Sequence, residues 1–514
     1  MRRSSTCRLA RAARATLLAA ALAACSSESY VVVTVEAPPT VHGARALTIG
    51  LANGGTTRSD TVPLGDHAFP VTFSVSAPGR TGELGITVDA TTDDGLVVGR
   101  GSATSSLSAA SATVVLDATD FVVNTDFAGD QFPTEDFEAA GFQLAALPDG
   151  TWTAVYRDSC MENACNLFGR RFDATGAPVQ TQLAASSNAF VLTTSLTSTD
   201  TTPAVASSAT TTLAAWDFFS ASTGEQGVAC RALDPAGRAL TDQVAIAAEH
   251  ADVVAIAAQG SGNFVVSWNS FVSVLDPSAV HAAFVKPDCT LAVPGIQLVS
   301  SAGDAHRASV AASGDQVLFA WVTDGSLHTR LATSAGTFSS SDTTLVSSAD
   351  TPDEVAHARV AAAPGGGFVI AVRWTPKSLS GPGRIELLRV DATGNLAGAP
   401  TLITDRTALD DMANLDNDRS FALASRADGL VLVAWHTCGD FGDDNLCGVF
   451  GRYLRDTGEP ASEPFGIPTT TAGDQTLPSV VALPAGFVAM WSDGSSKPPD
   501  TLLRSVRARI LPPP

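Results

Sequence analysis

Cysteines, carboxylates and histidines are the residues of this chain that could do chemistry, and their spacing limits what chemistry that is. Cys160 and Cys165 bracket four residues, and Cys438 and Cys447 bracket eight. Such close pairs, at spacings of five and nine, suit hairpin disulfides better than a zinc site, which needs further thiolates or imidazoles. Cys230 and Cys289 stand apart in sequence and are either paired or free. Carboxylates cluster at Asp410, Asp411, Asp416 and Asp418 and again at Asp440, Asp443 and Asp444. Asp416-Asn417-Asp418 alternates the oxygen ligands that Ca²⁺ takes, but the rest of an EF-hand loop is missing. In so acidic a chain solvated loop carboxylates are the simpler reading, so no cofactor is expected, and Ca²⁺ in these loops is the one metal left open. The eight histidines are scattered, with no pair at metal-ligand spacing on one element. No Ser-His-Asp order or nucleophile elbow is present, so no catalytic residue is assigned.

The elements that position these residues repeat. An apolar strand ends at each of Tyr156, Trp216, Trp268, Trp321, Val372, Trp435 and Trp491, and consecutive anchors lie 60, 52, 53, 51, 63 and 56 residues apart. A strand of small residues precedes each anchor by 11 or 12 positions, as Val205 precedes Trp216 and Ile256 precedes Trp268. A tight turn joins the two, as at Ala427-Asp428-Gly429. A third strand ends in turns such as Asp173-Ala174-Thr175-Gly176 and Asp391-Ala392-Thr393-Gly394, where Asp and Gly suit a chain reversal. A fourth strand leads to the next unit. Four strands in roughly 50 residues, seven times over, describe a seven-bladed β-propeller across 119–514. The units resemble a diverse group of bacterial extracellular propellers with a P-x-V-A, D-G, W rhythm, many without assigned activity. Sialidase-like propellers carry a Ser-x-Asp-x-Gly-x-x-Trp box; Ser492-Asp493-Gly494 lacks its spacing and aromatic.

The last unit has only three strands. Phe121 to Gln131 parallels Phe465 to Gln475, the fourth strand of the sixth unit. Residues 121–125 are therefore expected to pair with 504–510 and to close the ring, removing two open sheet edges.

By analogy with other propellers the small-residue strand lines the central channel. The long connections 157–168, 269–281, 373–384, 404–419 and 436–448 then share one rim, and loops are where binding residues sit. Directly after the anchors stand Arg157, Asp217, Asn269, Val322, Arg373, His436 and Ser492. This level either lines a ligand funnel or is the ordinary polar exit of each strand. On the first reading Asp158, Asp217, Asn269, Arg373, Trp374 and His436 are the candidate ligand contacts. The anchors themselves are expected to be core between blades.

Arg2, Arg3, Arg8, Arg11 and Arg14 precede a ten-residue apolar run, Ala15 to Ala24, too short to span a bilayer and right for a secretory signal peptide. It ends Leu22-Ala23-Ala24-Cys25, which resembles the lipobox of bacterial lipoproteins. The resemblance implies that residues 1–24 are removed, that Cys25 is lipidated, and that 25–29 tether the protein to a membrane of the cell envelope, the outer one. Removal of five Arg takes the net charge from −21 to −26. That balance argues against nucleic acid as a partner.

Residues 30–118 contain six or seven short strand-like segments separated by turns and no helical periodicity, which suggests an immunoglobulin-like β-sandwich, although no Cys or Trp marks a true immunoglobulin domain. The whole is expected to be an all-β, monomeric, lipid-anchored binding or scaffold protein with a protein or glycan partner. The alternative is a propeller hydrolase or lyase acting on polysaccharide, with rim carboxylates as acid and base.

Overall fold

The computed structural model describes residues 30–124 apart from 66 and 94, and residues 142–514 apart from 162–163, 180–188, 194–196, 199–202, 220–223, 271–277, 301–303, 340, 350, 378–382, 408–419, 439–446 and 498–503. The described chain is all β. Its contacts divide it into two compact units, which meet in sequence after Asp117.

The first unit holds two sheets. In one, Tyr30–Glu36 lies between Val71–Ser76, antiparallel to it, and Ser111–Val115, parallel to it. The other is five-stranded, and Thr56–Pro63, Ala46–Asn53, Glu83–Thr91 and Val97–Ser106 lie side by side in it. The period-2 pattern decides which face is core: Val31, Val33 and Val35, and Leu84, Ile86, Val88 and Ala90, are buried while alternate residues face outward. Thr56–Pro63 is a strand that hydrophobic patterning does not reveal, because it is exposed along its length as the sheet's edge. It forms because the Gly54-Gly55 turn, both residues at positive φ, folds it back along Ala46–Asn53.

The second unit is a succession of antiparallel sheets. Six are four-stranded and one, the first in sequence, carries three short pieces on its third strand. Sheet 1 comprises Phe142–Ala146, Trp152–Met161 and Ala164–Phe172 with those pieces. Sheets 2 to 6 begin at Ala204–Ser207, Ala251–Ala258, His306–Ser313, Asp353–Ala362 and Phe421–Ser425. Sheet 7 is Gln475–Leu483, Gly486–Asp493 and Ser505–Leu511, completed by Phe121–Val122 from the start of the unit. The first strand of each sheet lies against the first strand of the next, and Gln475–Leu483 lies against Phe142–Ala146, so the succession closes on itself as in a β-propeller.

Large side chains fill the gaps between sheets. Trp268 packs with Leu213, Ala215 and Val228 of sheet 2, and Trp491 packs with Leu432 and Ala434 of sheet 6. Tyr156 packs with Val488 and Met490 of sheet 7. Each anchor thus seals the interface to the preceding sheet, and five of the seven tryptophans are fully buried. Burying an indole stabilises such an interface by about 4–6 kcal/mol on the area scale, an upper bound.

The expected closure is seen in Val122 and Phe121 opposite Arg507 and Ala508. Val123 N–H donates to Val506 O at 2.7 Å, and Val506 N–H donates to the Asn124 side chain at 3.0 Å. Gly176 is needed at this seam. Its φ is +88°, and a Cβ there would meet the Phe121 ring at 3.1 Å and Ile510 at 3.0 Å. Two expectations change. The connection 157–168 is mostly hairpin, since the strands run on to Met161 and restart at Ala164. Of the fourth strand inferred over 121–131, the described part is 121–124, where Phe121–Val122 is regular and matches the two-residue Phe465–Gly466 of sheet 6; 125–131 lie outside the described residues.

Candidate functional site

The residues one step beyond the anchors come to one level of successive sheets, as their register requires, and they are buried. Arg157, Asp217, Asn269, Val322, His436 and Ser492 all are, and Arg373 is half-buried. Several tie one sheet to the next. Asn269 Nδ2 donates to Ala305 O at 2.6 Å, and its Oδ1 accepts from Ala308 N at 3.1 Å. Arg373 Nη1 donates to Ser420 Oγ at 2.8 Å. His436 accepts at Nδ1 from Leu477 N at 3.4 Å. The receiving strands of sheets 4 and 7 are irregular. The first strands of sheets 3, 4, 5 and 7 each shift register near their beginning, and Arg307 and Leu477 sit there at positive φ. A bulge frees a backbone N–H from the ladder, and the side chain of the previous sheet satisfies it. Burial, and then the charge of Arg373, push the His436 imidazole down to about 3, so it is neutral at pH 7, with Nδ1 the acceptor and its one N–H on Nε2.

Of the other candidates, Trp374 is buried with the Arg384 guanidinium 4.7 Å above its ring, and Arg384 is paired with Asp353 and Glu386. Asp158 lies in a strand opposite Asn166, but its side chain is outside the described residues. Asn269, Arg373 and His436 are brought to one level; the charge of Arg373 acts on His436, and both contact Ser420, whose carbonyl accepts from His436 N at 3.1 Å. Cys438–Cys447 and Cys230–Cys289 are disulfides. The first joins directly opposed residues of one hairpin. The second joins the third strand of sheet 2 to the third-to-fourth-strand turn of sheet 3, where Cys289 has φ +65°. The side chains of Cys160 and Cys165, Cys25, and the two acidic clusters lie outside the described residues. Among those described, no three His, Cys, Asp or Glu side chains gather to hold a metal.

Three constellations escape sequence reading. Glu249, in the connection from sheet 2 to sheet 3, accepts from Trp268 Nε1 at 2.7 Å and lies 2.6 Å from His281 Nδ1. Burial alone would raise its carboxyl, but these hydrogen bonds outweigh it and hold the group below its ordinary value. The second is a row of arginines two residues past the anchor's partner on the third strand in five of the seven sheets. Arg170, Arg231, Arg330, Arg452 and Arg509 donate to Val123, Leu192, Val299, Ile403 and Ile467 carbonyls, each on or beside the fourth strand of the preceding sheet. The signal was in the sequence, as an Arg at fixed register, but its target lies across a sheet boundary. The third is the seam. Arg507 donates to Asp120 Oδ1 at 3.0 Å and Asp493 Oδ2 at 2.7 Å, all three buried. Asp120 also accepts from the backbone N–H groups of Thr469 and Thr470, both at 2.7 Å.

No protein-family model matches the chain, and no curated protein does. Solved structures do. A Dyadobacter fermentans protein of unknown function is 10% identical over 77% of this chain and 99% of that one, with a TM-score of 0.43. An α-L-arabinofuranosidase of Fusarium graminearum is 12% identical over 76% and 98%, with a TM-score of 0.38. The NanB sialidase of Streptococcus pneumoniae is 11% identical over 94% of each chain, with a TM-score of 0.37. At such identities and TM-scores these likenesses carry no argument.

Proposed function

We propose that the chain is an exported, lipid-anchored, seven-bladed propeller that binds or scaffolds at the cell envelope without catalysing a reaction. The observation that carries this reading is how the polar side chains at the rim level are used. Asn269, Arg373 and His436 are committed to holding the next sheet in place, and the one imidazole among them is neutral. Such a ring is rigid and presents its connections, which favours recognition because little order is lost on binding. Disulfides between described cysteines fit an oxidising compartment outside the cytosol. The candidate contacts Asp158, Asp217 and Trp374 remain part of this proposal as residues of the same rim.

The deciding experiment incubates the purified full chain with envelope polysaccharide and follows two readouts, co-sedimentation and release of shortened oligosaccharides. Co-sedimentation without release supports the binding reading. Steady release of oligosaccharide, abolished by replacing one rim carboxylate, would overturn it in favour of a hydrolase or lyase, whose two carboxylates would stand about 5–9.5 Å apart.

A further inference from the structure

Sheets 5 and 6 leave a cleft of about 360 Å³ between them. Ile403, Trp435 and Thr437 line its buried part. Phe450 forms a wall, its ring 6.3 Å from that of Trp435 and tilted by 32°. Asp405 and Glu463 line the exposed part. Arg452 also borders it, but its guanidinium is spent on backbone: Nη1 donates to Leu402 O at 3.2 Å and Ile403 O at 3.1 Å, and Nε to Ser462 O at 3.1 Å. These bonds hold the two walls at a fixed separation, so the cleft is preformed.

Two donors in its buried part have no partner among the described residues. The Thr437 hydroxyl is one, in a residue only 3% exposed; the Trp435 indole N–H is the other, also in a residue 3% exposed. The indole nitrogens of Trp152, Trp216 and Trp491 are sealed inside the core, and that of Trp268 is bonded to Glu249. That of Trp435 is not among the sealed ones. A polar group so nearly buried is unfavourable unless something in the cleft satisfies it.

The occupant must therefore accept hydrogen bonds from Thr437 and Trp435, donate to Asp405 and Glu463, and present an apolar face to Phe450 and Ile403. A sugar ring meets all three demands, since its hydroxyls both donate and accept and its C–H face packs on aromatic and aliphatic surface. An anionic sugar does not fit, because two carboxylates already stand at the opening of a chain carrying −21. We propose that this cleft, between sheets 5 and 6, binds one sugar unit that bears no acidic group. This rests on the binding reading above and names its ligand class.

The test uses the full chain and an array of neutral and uronate-containing oligosaccharides, followed by NMR titration with cellobiose, chitobiose and cellobiouronic acid. Neutral glycans should bind, with the uronate disaccharide about tenfold weaker or more. The double variant Asp405→Asn/Glu463→Gln should weaken neutral binding by about tenfold, and Thr437→Val should do likewise by several-fold. Both carboxylates are exposed, so the double variant is not expected to unfold the chain. No binding by any neutral glycan of the array would overturn the proposal. Neutral binding unchanged in the double variant would overturn the cleft and leave the binding reading standing. Product release with cleft-dependent binding would overturn the non-catalytic reading and keep the cleft.

Discussion

His436 is sealed beside Arg373 and its protonation is pushed from an ordinary 6.5 down to about 3. Between those two values the unfolded chain binds a proton that the folded chain does not. Stability therefore falls as pH drops through this window, by up to about 1.4 kcal/mol per pH unit from this one group. Urea unfolding midpoints measured from pH 7 to pH 4 should decline less in His436→Gln than in the wild type; parallel declines would show that the imidazole charges freely in the folded state. Arg507 poses the opposite problem, a buried cation between two buried carboxylates. Arg507→Met leaves Asp120 and Asp493 facing each other's surroundings without a counter-charge. It should cost about 3–5 kcal/mol in equilibrium unfolding. A cost below about 1 kcal/mol, the worth of an exposed pair, would mean that the seam does not depend on this cluster.

The strand Phe121–Val122 is two residues long, yet the segment around it supplies the ladder partner of Ser505–Leu511, the acceptor for Arg170 at Val123, and Asp120 for the seam cluster. Deleting residues 119–124 should expose Ser505–Leu511 as an unpaired edge and strip one wall of the interface to sheet 1. The expected result is self-association on size-exclusion chromatography and a lowered Tm. A monomer with undiminished Tm would show that the ring does not need this strand. The arginine row extends the same logic to four other interfaces. Each guanidinium joins a third strand to the fourth strand of the preceding sheet, so outer parts of neighbouring sheets are held where the apolar anchors do not reach. The anchors and the tight turns were legible in sequence, because a strand's apolar run and a turn's Asp and Gly are local facts. Asp391 illustrates this: its side chain accepts from the Thr393 hydroxyl and from the Thr393 and Asn395 N–H groups, which also holds its carboxyl below the ordinary range. The ties from Asn269, Arg373 and His436 were not legible, since a polar residue after a strand has the same appearance whether it meets solvent, a ligand or the next sheet.

At the scale of the whole molecule, a chain at −21, and −26 once residues 1–24 are removed, repels anionic surfaces, so membrane association needs a specific anchor. The lipobox-like Leu22-Ala23-Ala24-Cys25 supplies one by proposal. Cys25→Ser should move the protein from the membrane to the soluble fraction or leave it unprocessed and larger on a gel; unchanged fractionation together with unchanged mobility would count against lipidation. No helix among the described residues is long and apolar enough to cross a membrane.

The sequence by itself determined the class of most elements of the second unit: seven anchored strand pairs, their turns, and the closing segment that copies a fourth strand, because periodicity and turn chemistry act over a few residues. It also marked Cys438 and Cys447 as partners, since nine positions across a hairpin leave them opposite each other. Only the tertiary structure decided that Cys230 meets Cys289, that Arg507 neutralises two carboxylates 387 and 14 positions away, and that Trp435, Thr437, Asp405 and Glu463 border one cleft. Those pairings depend on how sheets stack face to face in succession. Stacking is set by the summed fit of many anchors and ties, and no short stretch of sequence carries that sum.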